Sequence, residues 1–91
     1  MYFISDYTYH KARRIGVEVK PSTIADKKLD VYKDGNKIAS VGIIGAPDYP
    51  TYMALYGSAY AYGKKIDYLN RYKREIYSKW SNRWLIYQLL W

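Results

Sequence analysis

Residues 28–44 constrain the fold most, because they commit this part of the chain to antiparallel strand pairing. Residues 29–32 alternate between apolar and other side chains, and an apolar run follows over residues 38–44. Between the two runs, residues 33–37 (Lys-Asp-Gly-Asn-Lys) accept the positive φ angles of a tight hairpin turn. We therefore predict a β-hairpin over residues 28–44, with a β-bulge at Gly42, which interrupts the alternation of the second strand.

The residues before the hairpin indicate a short helix and then a strand. We predict the helix over residues 5–14, with Asp6 as its N-cap and Gly16 just beyond its end. Residues 15–20 then alternate between apolar and polar or glycine positions, which is typical of a half-buried strand. Pro21 ends this strand, and the residues that follow it are predicted to form a loop.

Helices are predicted after the hairpin, over about residues 49–56, 58–77 and 78–91. Asp48 and Ser58 are the expected N-caps of the first two. The last helix is apolar nearly all round, which is typical of a buried helix. The longest helix carries a stripe that we expect to face the core, formed by Tyr62, Ile66, Leu69, Tyr72 and Ile76.

Together these elements predict an α+β fold. A chain of 91 residues is short for two cores, so we expect a single domain over residues 1–91. It comprises a helix, strand and loop over 1–26, the hairpin over 28–44 and a helical part over 49–91. The strand and hairpin should form a small antiparallel sheet packed against two or three C-terminal helices. The predicted core consists of Leu29, Val31, Ile38, Val41, Ile43, Ile66, Leu69, Ile76, Leu85, Leu89 and Trp91.

Composition argues against several kinds of functional site. The chain has no cysteine, which excludes a disulfide, a thiolate zinc site and a cysteine nucleophile. The one histidine, His10, lies in a basic stretch without a second ligand at metal spacing, so we interpret it as a solvated helix residue. Neither G-x-x-x-x-G-K nor G-x-G-x-x-G occurs. We expect no enzymatic activity, no cofactor, no metal and no small-molecule substrate.

The apolar runs of the sequence are short. The longest, residues 84–91 broken by Gln88, is far below the roughly 20 residues that span a bilayer. The first residues also lack the basic region and apolar stretch of a secretion signal. We expect a chain that neither spans a membrane nor is secreted.

Positive charge and tyrosine dominate the composition. Fifteen Lys and Arg against eight Asp and Glu give a net charge of +7, which attracts polyanions, and thirteen tyrosines suit contact surfaces. Residues 63–83 alone carry seven Lys and Arg against two acidic residues, a net charge of +5. Such cations can neutralise phosphates while aromatic rings stack on exposed bases. We predict a surface in this segment that binds nucleic acid or an acidic protein surface through Lys64, Lys65, Tyr68, Arg71, Tyr72, Arg74, Lys79 and Arg83. A second basic cluster, formed by Lys11, Arg13 and Arg14, either extends this surface or only solubilises the first helix.

Several short motifs follow one another in a fixed order along the chain. They are residues 20–23 (Lys-Pro-Ser-Thr), 28–35 (the hairpin), 48–52 (Asp-Tyr-Pro-Thr-Tyr), 60–61 (Tyr-Ala) and 89–91 (Leu-Leu-Trp). From about Ile15 to its end, the chain resembles a small family of phages and large DNA viruses, a domain of unknown function. The resemblance implies a viral origin, a non-enzymatic accessory role and a location in the virion or the host cytoplasm, but it brings no known active site.

The chain departs from the pattern of that family in the basic segment. Lys64 and Lys65 stand where the family has arginines, and Tyr72 replaces a histidine, whereas Tyr68 and Arg71 agree with the pattern. Lysine keeps the charge but lacks the planar fork that grips a phosphate through two hydrogen bonds. Near the end, residues 83–85 (Arg-Trp-Leu) stand where the family usually has a glycine and two tyrosines.

Other interpretations stay open. Asp67, Arg71 and Glu75 lie four residues apart and can form an ion-pair ladder on a solvated helix face. The protein is alternatively a minor capsid or virion-associated protein whose tryptophans 80, 84 and 91 insert into pockets of larger capsid subunits. A further alternative is an inhibitor of a host nucleic-acid machine.

Overall fold

The computed structural model describes residues 2–91. Within them the chain forms a three-stranded antiparallel sheet and five helices, which confirms the predicted α+β fold. The chain divides into two compact units, one ending at Ala46 and the other running from Pro47 to Trp91. The single domain over residues 1–91 stays a prediction. None of the helices in this part of the chain combines the length and the apolarity needed to cross a lipid bilayer.

The first helix, α1 (Asp6–Ile15), is capped by Ser5. The Ser5 hydroxyl accepts a hydrogen bond from the Thr8 backbone N–H at 3.2 Å, so the prediction of Asp6 as the N-cap is wrong by one residue. Asp6 lies instead in the first turn, where a carboxylate interacts favourably with the helix macrodipole. Gly16 ends the helix with a φ of 78°, as predicted.

The sheet consists of β1 (Glu18–Pro21), β2 (Leu29–Lys33) and β3 (Asn36–Val41), in the spatial order β1-β2-β3. The predicted hairpin joins β2 to β3. Asp34 and Gly35 form its turn with φ angles of 52° and 81°, and positive φ at both central residues is what a type I′ turn requires. The strongest local pattern of the sequence is therefore confirmed.

The bulge of the hairpin lies at Ile38, and the prediction of Gly42 is wrong. The register between β2 and β3 shifts between Val31 and Tyr32, which leaves Ile38 opposite no residue. The predicted burial of Ile38 and Ile43 is also wrong, since both are exposed, Ile43 by 59%. Ile43 lies beyond Gly42, whose φ of 82° redirects the chain after the strand has ended.

The remaining apolar positions of the sheet are buried as predicted. Leu29, Val31 and Val41 have almost no solvent exposure. In the register, Val19 of β1 lies beside Val31, so buried side chains from two strands share one face. Further buried apolar side chains of this unit are Ile4 before α1, Ala12 in α1 and Val17 between α1 and β1.

Asp30 is buried on the central strand, with a side chain only 3% exposed. Its carboxylate accepts hydrogen bonds from the Ser22 hydroxyl at 2.6 Å, the Ser40 hydroxyl at 2.7 Å and the Thr23 N–H at 3.3 Å. The Lys37 ammonium lies 3.4 Å away. Burial alone would raise the pKa of Asp30, but the hydrogen bonds and Lys37 lower it from 3.8 to about 2.

The second unit contains α2 (Tyr49–Tyr56), α3 (Ser58–Arg71), α4 (Lys73–Ile76) and α5 (Asn82–Leu90). Asp48 is the N-cap of α2, as predicted, and its carboxylate accepts a hydrogen bond from the Thr51 N–H at 3.1 Å. The prediction of Ser58 as a side-chain cap is wrong. Gly57 holds the N-cap position of α3 with a φ of 85°, and no side chain caps this helix.

The predicted long helix over 58–77 is interrupted at Tyr72, whose φ of −116° and ψ of 25° are not helical. An unbroken helix would place Ile66 and Ile76 on one face. Because of the break, Ile76 is 3% exposed whereas Ile66 is 36% exposed. Tyr62 is exposed as well and Leu69 is only half-buried, so the predicted core stripe is wrong for the middle of α3.

The last helix starts later than predicted. Trp80 adopts a left-handed backbone conformation with a φ of 70°, which prevents a helix from running through residues 78–81. Ser81 is the N-cap of α5, and its hydroxyl accepts from the Trp84 N–H at 3.1 Å. The buried residues predicted in this region are confirmed, namely Ile76, Leu85, Leu89 and Trp91.

Candidate functional site

A groove of about 520 Å³ opens along one face of α3 in the second unit. Five of its residues belong to α3, at positions 64, 67, 68, 70 and 71, and these positions lie on one side of the helix. Two predicted cations and two predicted tyrosines therefore meet in one place. The lining residues are Pro47, Tyr52, Lys64, Asp67, Tyr68, Asn70, Arg71, Tyr72 and Trp91.

Aromatic rings line the groove and contact one another. Tyr68 is central, since its ring is stacked on that of Trp91 at 4.7 Å between centroids and 18° between planes. The ring centroids of Tyr72 and Tyr68 are 4.8 Å apart, and those of Tyr52 and Trp91 are 5.9 Å apart. Neighbouring rings fix one another in this way, so the groove presents a preformed aromatic lining.

The cations of the groove lie over tyrosine rings. The Lys64 ammonium is 5.5 Å from the Tyr60 ring centroid and 5.9 Å from that of Tyr52. The Arg71 guanidinium carbon is 6.0 Å from the centroid of Tyr72. These are cation–π distances, and in residues 2–91 neither cation has a carboxylate within ion-pairing distance. The ion-pair ladder through Arg71 is therefore not formed.

Arg83 joins two of these tyrosines. Its guanidinium donates a hydrogen bond to the Tyr68 hydroxyl at 3.0 Å and lies 3.8 Å from the Tyr72 ring centroid. Burial raises the pKa of the Tyr68 phenol, although the Arg83 hydrogen bond acts in the opposite direction. Burial would lower the pKa of Arg83, but the bond to Tyr68 and nearby groups raise it overall. One face of Tyr72 is thus covered by a cation.

The other predicted residues of the basic segment lie outside this groove. Lys65 is next to Lys64 on the helix and points elsewhere, with its ammonium 5.6 Å from the Tyr49 centroid and 5.8 Å from that of Tyr87. Arg74 lines an adjoining recess, which shares Asn70 and Arg71 with the groove. Lys79 is exposed in the turn before α5.

The second predicted cluster, Lys11, Arg13 and Arg14, belongs to the first unit. The Lys11 ammonium lies 5.2 Å from the Tyr7 ring centroid. Arg13 and Arg14 are exposed in the last turn of α1, where positive charge stabilises the helix through its macrodipole. This role in α1 is compatible with the interpretation that the cluster serves the helix itself.

Several residues of the groove were not predicted as site residues. Tyr52, Asp67 and Asn70 line it, and so does Trp91, which the sequence placed in the core. Trp91 is 7% exposed, which contradicts the insertion of this tryptophan into a partner's pocket, whereas Trp80, which the virion alternative also names, is 37% exposed. The i, i+3 spacing of Asp67 and Asn70 is visible in the sequence, but their place in one groove with Tyr52 depends on the packing of α2 against α3.

Within residues 2–91, no group of three or more His, Asp and Glu side chains is placed to hold a metal ion. We found no match for the chain among models of known protein families, among curated proteins or among solved structures. The resemblance to a viral family therefore stays a prediction.

Proposed function

We propose that this chain is a non-enzymatic protein that binds single-stranded nucleic acid in the groove of the second unit. The observation that carries the proposal is the presence of Lys64 and Arg71 in one groove with four aromatic rings, where neither cation is neutralised by a carboxylate. Cations of this kind bind phosphates and release counterions. Aromatic rings stack on bases of any sequence.

The aromatic lining favours single strands over duplexes. Bases in a duplex are stacked on their neighbours, so their faces are not accessible to a tyrosine. Tyr52 and Tyr72 are half-buried, and each keeps part of its ring surface in contact with solvent. We assign base stacking to these two rings, whereas the buried Trp91 supports the lining through its contacts with Tyr68 and Tyr52.

Each cation has a distinct role in the proposal. Lys64 and Arg71 line the groove and contact phosphates directly. Arg83 holds Tyr68 and Tyr72 in place and adds positive charge beside them. Arg74 extends the positive surface into the adjoining recess.

A salt titration tests the proposal. We would measure the affinity for a fluorescent oligothymidylate at several NaCl concentrations, and expect log affinity to fall with log salt with a slope of roughly −1.5 to −2, as for two to three neutralised phosphates of a single strand. A slope near zero would exclude phosphate neutralisation. The variant Lys64→Gln/Arg71→Gln should lose about 1.4 of that slope, since each phosphate contact contributes about 0.7.

The matched control is Arg13→Gln/Arg14→Gln, which removes the same charge from exposed positions on α1. Its slope should stay close to that of the wild-type protein. Equal losses in the two double variants would show that net charge, and not the groove, determines binding.

A second candidate function, contact with a larger capsid or other structural protein, is supported by α2. This helix has no charged residue and no buried residue. Leu55 is 66% exposed, and Met53 and Tyr56 are exposed beside it. Apolar side chains exposed together are typical of protein-binding surfaces. Mass spectrometry of purified virus particles tests this role, because a chain that is absent from the particles is not a capsid component. If the chain is present, Leu55→Lys should abolish its incorporation into the particles.

A further inference from the structure

Asp67 is an unexpected residue in a groove for phosphates. It lines the groove together with Lys64 and Arg71, yet within residues 2–91 its carboxylate is not in ion-pairing distance of a cation. A carboxylate repels phosphate and weakens binding that depends on charge alone. Its favourable partner in a nucleic acid is a hydrogen-bond donor, and the bases supply donors on their edges.

Asn70 lies on the same side of α3 as Asp67, three residues further along, and lines the same groove. The carboxylate offers two acceptor atoms, and the amide of Asn70 offers a donor. The Watson–Crick edge of guanine has the complementary order, with donors at N2 and N1 and an acceptor at O6. Cytosine and adenine each have a single amino group on this edge, and thymine has one N–H between two carbonyl oxygens that would face the carboxylate.

From this juxtaposition we propose that the groove prefers guanine in single-stranded nucleic acid, with Asp67 accepting from N1–H and N2–H and Asn70 donating to O6. The inference rests on the proposed function, since it names the base that the same groove selects. The Watson–Crick edge is free only in an unpaired base, which agrees with a single-stranded ligand. Two parallel hydrogen bonds to a carboxylate are also stronger than hydrogen bonds between neutral groups.

The test uses the wild-type chain and a set of fluorescent ten-nucleotide oligothymidylates that differ at one central base. We expect guanine to bind at least about fivefold more tightly than thymine, the lower end of what one good bidentate base contact provides. Hypoxanthine, which lacks the N2 amino group, should lose a large part of this gain. The 7-deazaguanine base keeps the Watson–Crick edge intact and should bind like guanine.

Two variants assign the preference to its residues. Asp67→Asn should abolish the preference for guanine over thymine and should strengthen binding to oligothymidylate, because a charge that repels phosphate is removed. Glu75→Gln is the matched control, since Glu75 is an exposed carboxylate that lines the adjoining recess and not the groove. It should leave the base preference unchanged. Circular dichroism would verify that both variants fold.

The outcomes separate the two proposals. Equal affinity for the guanine and thymine oligonucleotides, with a steep salt dependence, overturns the guanine preference and leaves the proposed function standing. Binding without salt dependence, or no binding to any oligonucleotide, overturns both. A preference that persists in Asp67→Asn, or that is lost with 7-deazaguanine, shows that another group or another edge of the base is read and also overturns the inference.

Discussion

Replacing Asp30 by Asn should destabilise the sheet of the first unit by about 2 kcal/mol at pH 7. The carboxylate accepts two short hydroxyl hydrogen bonds, from Ser22 at 2.6 Å and Ser40 at 2.7 Å. Hydrogen bonds to a charged group contribute about 1.5–3 kcal/mol each, and neutral ones about 0.5–1.5 kcal/mol. Asn keeps one acceptor oxygen but loses the charge, so each of the two bonds weakens by roughly 1 kcal/mol. The amide also places a donor opposite the Thr23 N–H.

The loss should depend on pH in a defined window. The pKa of Asp30 is lowered to about 2 in the folded protein, below its ordinary value of 3.8. A group of this kind stabilises the fold above its unfolded pKa, and the stabilisation disappears as the pH falls through the folded pKa. The difference between the wild-type protein and Asp30→Asn should therefore be complete above pH 5 and should shrink between about pH 4 and pH 2.

Urea titrations at several pH values, followed by the amide NMR signals of β2 and β3, measure this difference in the sheet itself. Asp34→Asn is the control, because Asp34 is an exposed carboxylate in the hairpin turn and Asn tolerates its positive φ. It should change stability by less than about 0.5 kcal/mol. A difference for Asp30→Asn that is the same at pH 6 and pH 2, or an equal loss in Asp34→Asn, would refute the reasoning.

Two further predictions concern the second unit. Leu85→Ala should lower the free energy of unfolding by about 2–5 kcal/mol because Leu85 is fully buried, whereas Leu69→Ala should lower it by less because Leu69 is half-buried. Urea denaturation followed by tryptophan fluorescence measures both losses. An equal loss in the two variants, or a larger one in Leu69→Ala, would contradict this assignment of burial. Arg83→Met should raise the pKa of Tyr68 further, since it removes the hydrogen bond that opposes the effect of burial. NMR titration of labelled tyrosine rings measures this shift, and Arg74→Met, which removes an exposed cation of the adjoining recess, should leave the Tyr68 pKa nearly unchanged.

The features that the sequence predicted correctly are set by neighbouring residues. The hairpin follows from Asp34 and Gly35, which accept positive φ, and the start of α2 follows from the carboxylate of Asp48. The break at Tyr72 has no local cause, because neither glycine nor proline stands there. At this break the Tyr72 ring contacts the guanidinium of Arg83, which lies eleven residues further along the chain. Spacing within one helix could not reveal this contact.

The burial of Asp30 on the second face of the sheet could not be predicted from the neighbouring residues either. Alternation along β2 assigns Asp30 to the face opposite Leu29 and Val31, which would be solvated in a hairpin with one covered face. The segment that follows β1 returns over this face and brings the Ser22 hydroxyl to the carboxylate. Its residues look like an ordinary loop in the sequence, so the polar network became visible only in the structure.

The relation between tyrosine and positive charge explains why the ion-pair ladder, which the sequence left open as an alternative, does not form. An exposed pair of opposite charges on a helix contributes about 0.2–0.5 kcal/mol, and a cation over an aromatic ring contributes about 0.5–1 kcal/mol. With tyrosines at hand, Lys64 and Arg71 face rings. A carboxylate would have cancelled their charge, whereas a ring leaves it intact. The tyrosines thus hold the cations in place while the positive field remains available to a polyanion, which a helix laced with ion pairs would have lost.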